Sequence, residues 1–68
     1  MSRPPLALIV QLRKIREERR LTQAELAEHM GYTRCSLSYW ESGHRSPPFR
    51  AFMDWLDALG VKLELVRQ

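Results

Sequence analysis

The sequence predicts an all-α fold: a compact domain of four short helices, followed by one short C-terminal β-strand. Three observations carry this expectation. Apolar residues recur at helical spacing through most of the chain, beginning with Leu8, Ile9, Leu12 and Ile15. Helix start and stop signals punctuate that pattern, above all Thr22 with Glu25 and the glycines at 31 and 60. The 68 residues, 44% hydrophobic and 28% charged, suit one globular domain and leave no room for a second. A single core of this size supplies only ~3–5 kcal/mol. The one cysteine, Cys35, allows no internal disulfide, and no Cys or His pair has the spacing of structural zinc. Stability must then come from helix packing, from oligomerisation, or from both.

Residues 1–5 form an N-terminal arm. Pro4 and Pro5 stop a helix from extending backwards, although Pro5 suits a first helical position. The first helix covers roughly 6–19, with arginines between its apolar residues. Thr22 and Glu25 then form a capping box, and Leu21 can staple onto Leu26. The second helix covers roughly 23–30 and turns Ala24, Ala27 and Met30 inward. Gly31 ends it in a left-handed cap. The third helix starts from Thr33 as N-cap, buries Leu37 and Trp40, and ends near Ser42. His44 to Pro48 is a loop. The fourth helix covers roughly 49–59, with Phe49, Phe52, Met53, Leu56 and Leu59 on its inner side and Gly60 as its cap. The domain proper therefore spans 6–60.

Residues 61–68 change period. Val61, Leu63 and Leu65 alternate with Lys62 and Glu64, which reads as a strand. An otherwise helical chain offers it no partner, so the simplest one is the same strand of a second copy. This makes 61–68 the expected dimerisation element of a homodimer, through Val61, Leu63 and Leu65. The alternatives are a frayed tail and a short fifth helix.

The net charge is +3, unevenly spread. Residues 1–20 carry net +4 through Arg3, Arg13, Lys14, Arg16, Arg19 and Arg20, whereas residues 46–68 balance to zero. A basic end points to a polyanion such as DNA or RNA; the alternative is a solvated arginine-rich face. The longest apolar run, Leu6 to Val10, is too short for a membrane span of about 20 residues or a signal-peptide core of roughly 7–15. No membrane association is expected. The expected compartment is the cytoplasm, with Cys35 reduced.

Catalysis is not expected. His29 and His44 have no neighbour at nucleophile or metal spacing, and His29 falls on the solvated face of its helix. There is no glycine-rich phosphate loop, and so small a chain leaves little concave volume for a substrate. No cofactor and no metal are called for.

Two short helices joined by Gly31-Tyr32-Thr33 form a helix-turn-helix signature. Ala27 must be small where the two helices cross, Gly31 takes the turn conformation, and Leu37 fills the angle between them. Residues 9–60 resemble the Cro/repressor-type, XRE-like helix-turn-helix domains, whose fold is lambda-repressor-like. The resemblance rests on Leu12-Arg13, Arg16, Leu21 to Ala27, Gly31 to Arg34, Leu37-Ser38, Trp40 to Gly43, Arg45, Pro47 and Ala58 to Val61. It implies a sequence-specific DNA-binding transcriptional regulator. Such a regulator is usually a repressor that binds double-stranded DNA as a homodimer on a palindromic operator, with helix 33–42 in the major groove.

The resemblance also implies roles. Gln23 matches the family glutamine that contacts phosphate, beside backbone N–H groups that favour an anion. Thr33, Arg34, Cys35, Ser36, Ser38 and Tyr39 occupy the outward face of the recognition helix. Ser42, His44 and Arg45 fall in the loop that grips the phosphate backbone. Arg34 is the leading base-reading residue, since a guanidinium can bond guanine O6 and N7 together; phosphate contact and plain solvation are its alternatives. Tyr39 suits a thymine methyl or a phosphate. Cys35 is small enough to sit against a thymine methyl, and a buried or packing role is preferred to any redox role. Arg16 and Glu41 match a partly buried ion pair that joins the first helix to the end of the third. Arginine at position 20 departs from the glycine common there and must bear left-handed strain or use another cap. The runner-up function is an antitoxin that binds a toxin protein and represses its own promoter.

Overall fold

The computed structural model describes residues 4–64. It contains α1 (Leu6–Glu18), α2 (Gln23–Met30), α3 (Arg34–Glu41) and α4 (Phe49–Leu59). No helix among the described residues is long and apolar enough to cross a membrane. Each helix begins where the sequence supplies a cap. Pro5 presets the backbone ahead of α1, and its carbonyl accepts from Leu8 and Ile9. At α2 the hydroxyl of Thr22 accepts from the Glu25 N–H at 3.0 Å, and the Thr22 N–H donates to Glu25 Oε1 at 2.9 Å. Thr33 starts α3 by accepting from the Ser36 N–H at 3.1 Å. Pro48 precedes α4.

The Thr22 N–H, and then its hydroxyl, hold the Glu25 carboxyl below the ordinary glutamate range. The lowered folded value makes the capping-box contribution complete above the ordinary pKa and lost as pH falls through the folded one. An NMR titration is expected to place the Glu25 midpoint below 4.5. A midpoint at or above that value would mean the box is open in solution.

All four helices end in one way. Arg20, Gly31, Gly43 and Gly60 all have positive φ, at 57°, 84°, 77° and 66°. In each case the next residue's N–H returns to the carbonyl five residues back: Leu21 to Arg16, Tyr32 to Ala27, His44 to Tyr39 and Val61 to Leu56. Glycine takes this conformation freely, whereas an L side chain such as Arg20 carries about 1 kcal/mol of strain. The side chain of Arg19 also donates to the Leu59 carbonyl, so the end of α1 satisfies the end of α4.

The core gathers Ile9 and Leu12 of α1, Leu26 and Ala27 of α2, Leu37 and Trp40 of α3, and Ala51, Phe52, Trp55, Leu56 and Leu59 of α4. Both α1 and α2 pack against α3 and α4. Tyr32 closes the α2–α3 turn onto the core. Its ring meets Trp40 edge-on, and its hydroxyl donates to Asp54 Oδ2 at 3.1 Å. Burial, then the Asp54 bond, raise the Tyr32 pKa.

The fourth helix departs from the sequence reading. Its buried arc centres on Phe52, Trp55 and Leu59, so Trp55 and Ala51 are fully buried. Phe49 and Met53, expected inside, lie one turn apart beyond the edge of that arc and are exposed. Ala24 is likewise exposed on α2. Burying Trp55 leaves its indole N–H without a partner among the described residues.

The expected strand is not observed. Val61 to Glu64 form neither strand nor helix, and Leu65 with the rest of the tail lies outside the described residues. A ladder needs a second extended segment, and the described residues contain none. Val61 instead packs half-buried against its own core, while Leu63 is exposed.

Candidate nucleic-acid interface

Helix α3 is amphipathic, and its arrangement builds the site. Leu37, Trp40 and Glu41 face the core, and Leu37 has no exposed surface. Helical rotation then turns Arg34, Cys35, Ser38 and Tyr39 to the opposite arc. Arg34, Cys35 and Tyr39 are exposed, and Ser38 is half-buried. Cys35 is thus not a packing residue, because its position in the first turn faces away from Leu37. Thr33 is exposed, and its hydroxyl lies 3.0 Å from that of Ser36, which keeps Ser36 half-buried at the margin of the arc. Among the described residues neither Arg34 nor Arg45 is paired with a carboxylate. Both guanidiniums are available to an anion or a base edge.

The loop after α3 is organised around Tyr39. Its carbonyl accepts from the N–H of His44 at 3.0 Å, from that of Arg45 at 3.2 Å and from the hydroxyl of Ser42 at 3.1 Å. Its ring stacks with His44 and lies under the Arg45 guanidinium, 5.0 Å from the ring centroid. Ser42 therefore uses its hydroxyl proton within the loop. His44 and Arg45 present charge or potential charge on a fixed turn. These contacts lie five and six residues apart, across a helix end, and no helical or strand spacing announces them.

The ion pair expected between Arg16 and Glu41 is formed. Arg16 Nε donates to Glu41 Oε2 at 2.7 Å and Nη2 to Oε1 at 2.9 Å, a two-pronged contact with both side chains nearly excluded from water. Glu41 raises the Arg16 pKa further, chiefly through these bonds. Nη1 donates to the Leu21 carbonyl at 2.7 Å, tying in the α1–α2 turn. Gln23 joins the same network: its Nε2 donates to Glu41 Oε1 at 3.0 Å. The start of α2 is thus fixed beside the end of α3 from which the Ser42–Arg45 loop departs. Arg34 and the N-terminus of α3 lie ~12 Å away at the other end of an eight-residue helix. The surface joins two neighbouring parts, an outward helix arc and a donor-rich helix end with its basic loop.

A helix-turn-helix family model matches residues 12–66. The chain belongs to the XRE-type helix-turn-helix family. It is 32% identical over 53 residues to YqaE of Bacillus subtilis (strain 168), described as an uncharacterized HTH-type transcriptional regulator. That stretch is 78% of this chain and 46% of the relative, so the chain spans about half the relative's length. A chain from a solved HipB–O1–O2 complex has the same fold, with a TM-score of 0.83 at 22% identity. The match covers 98% of this chain and 97% of that one. The helix-turn-helix itself is α2, the Gly31-Tyr32-Thr33 turn and α3.

Proposed function

We propose that this protein is a sequence-specific DNA-binding transcriptional regulator that places α3 in the major groove. The observation that carries the reading is the outward arc of α3, in which Arg34, Cys35 and Tyr39 are exposed while Leu37 and Trp40 lock the opposite side. An α-helix with its side chains matches the width of that groove, about 12 Å. Arg34 reads a base edge, most simply guanine through O6 and N7. Thr33, Cys35, Ser36, Ser38 and Tyr39 flank it. Gln23, His44 and Arg45 hold phosphates on either side, with Ser42 shaping the loop.

The regulator acts as a homodimer on a palindromic operator and represses by occupying it. Support for a second copy comes from the exposed apolar side chains Phe49, Met53 and Leu63, which a lone monomer leaves in water. The same side chains favour the second reading, an antitoxin whose apolar surface takes a toxin protein. A pull-down from host extract separates the two readings. One stoichiometric partner of different sequence would support the antitoxin, and recovery of the chain alone would support the free-standing regulator.

Binding titrations on single-base operator variants test the reading roles. Arg34→Ala should abolish preference at one base pair per half-site, a discrimination of ~1–3 kcal/mol. Arg45→Ala should weaken every sequence alike and lower the salt slope by about one. An equal loss on every variant for Arg34→Ala would remove it from base reading.

A further inference from the structure

Gln23 is held from within by a carboxylate that can only accept. Its Nε2 donates to Glu41 Oε1, and that oxygen also takes Arg16 Nη2. Glu41 is 5% exposed, and both its oxygens are engaged. Gln23 is half-buried at the protein edge. A glutamine amide can present either its oxygen or its two N–H groups, and an unrestrained one interconverts between them. The carboxylate removes that choice. It fixes the nitrogen inward, uses one N–H and leaves the second directed elsewhere. The backbone N–H groups of Gln23 and Ala24, in the first turn of α2, have no partner within the helix and share that end.

We propose that Glu41 is a positioning residue for DNA binding: by holding one N–H of Gln23, it aims the other at a backbone phosphate. This rests on the DNA reading above. Arg16 steadies Glu41 in turn, so one buried carboxylate serves both the packing of α1 on α3 and the phosphate contact. In Glu41→Gln the new amide nitrogen meets an Arg16 N–H whichever oxygen it replaces, and at the Oε2 position it leaves the Gln23 bond intact. Replacing the pair together, Arg16→Met with Glu41→Leu, removes the acceptor without stranding a charge. The Gln23 amide is then free to present its oxygen to the phosphate, where it repels.

The test is a double-mutant cycle of Gln23→Ala and the paired change Arg16→Met with Glu41→Leu. Affinity for a mixed-sequence duplex of about 20 base pairs is read by anisotropy at about 50 mM salt and corrected for the fraction folded. Gln23→Ala and the paired change should each bind about tenfold more weakly, and their combination no more weakly than either. An equal affinity loss from the paired change with and without Gln23→Ala would reduce Glu41 to a structural role. Unchanged binding by Gln23→Ala would overturn the proposal alone, whereas a wild type that binds no duplex would overturn the DNA reading with it. Should the paired variant not fold, NMR of the wild type decides. One Gln23 side-chain proton should be protected in the free protein, and the other should shift on adding duplex. Equal exchange of both would overturn the proposal.

Discussion

Arg16→Met should leave little folded protein near room temperature. The substitution keeps much of the side-chain volume and removes three hydrogen bonds, two to Glu41 and one to the Leu21 carbonyl. The larger effect falls on the partner. Glu41 remains inside with its charge and only the Gln23 amide to face it. Stranding one member of a buried pair costs about 3–5 kcal/mol. A single core of this size supplies a similar total, so the loss consumes most of the stability. The melting temperature should drop by roughly 12 °C or more. Replacing both partners, Arg16→Met with Glu41→Leu, should recover most of the loss, because no buried charge is then left unpaired. A single variant that melts within about 1–2 °C of wild type would show that the pair is not buried in solution.

Leu37→Ala should be nearly as severe, for a different reason. Leu37 has no exposed surface and sits in the core between α2 and α3. Neither helix can close the gap. Tyr32 fixes the connecting turn through Asp54 and Trp40, and the two caps at Thr22 and Thr33 hold the helix starts. A cavity that cannot collapse places the cost toward the upper part of the 2–5 kcal/mol usual for such truncations. Thermal melting would show it directly. DNA affinity should fall only in proportion to the fraction unfolded, because Leu37 has no exposed surface to offer DNA. A variant with unchanged melting and lost binding would contradict that division.

Much of the fold was legible because its signals are local. Thr22 with Glu25, Thr33, Gly31 and Gly60 act within one turn of chain, and the helices begin and end where those residues say. Trp55 was less legible. A period of 3.6 identifies α4 but leaves open which arc turns inward, and Phe49 and Met53 fit the pattern as well as Ala51 and Trp55 do. Tertiary packing against α1 and α2 made that choice. Cys35 failed for the same reason, since its exposure depends on how α3 is rotated about Leu37. Residues 61–64 departed for another reason: an alternating pattern becomes a strand only where a partner supplies the ladder.

The interface shows the same division. Arg34 and Tyr39 were placed on the outward arc through family resemblance, and the burial of Leu37 and Trp40 on the opposite side agrees with that placement. The Arg16–Glu41 pair spans 25 residues and entered through family resemblance, not through spacing. The Gln23–Glu41 bond and the seating of Arg45 on Tyr39 had no sequence signal. Both depend on where the end of α3 meets other segments.

The claim that α3 reads DNA is tested most directly by selecting bound sequences from a random duplex library at about 100 mM salt, with salt held fixed because phosphate contacts make affinity depend on it. The expected result is an enriched palindrome with half-sites about one helical turn apart, and loss of the enrichment at one half-site position in Arg34→Ala. A wild-type pool that stays random, from protein shown to be folded, would contradict it.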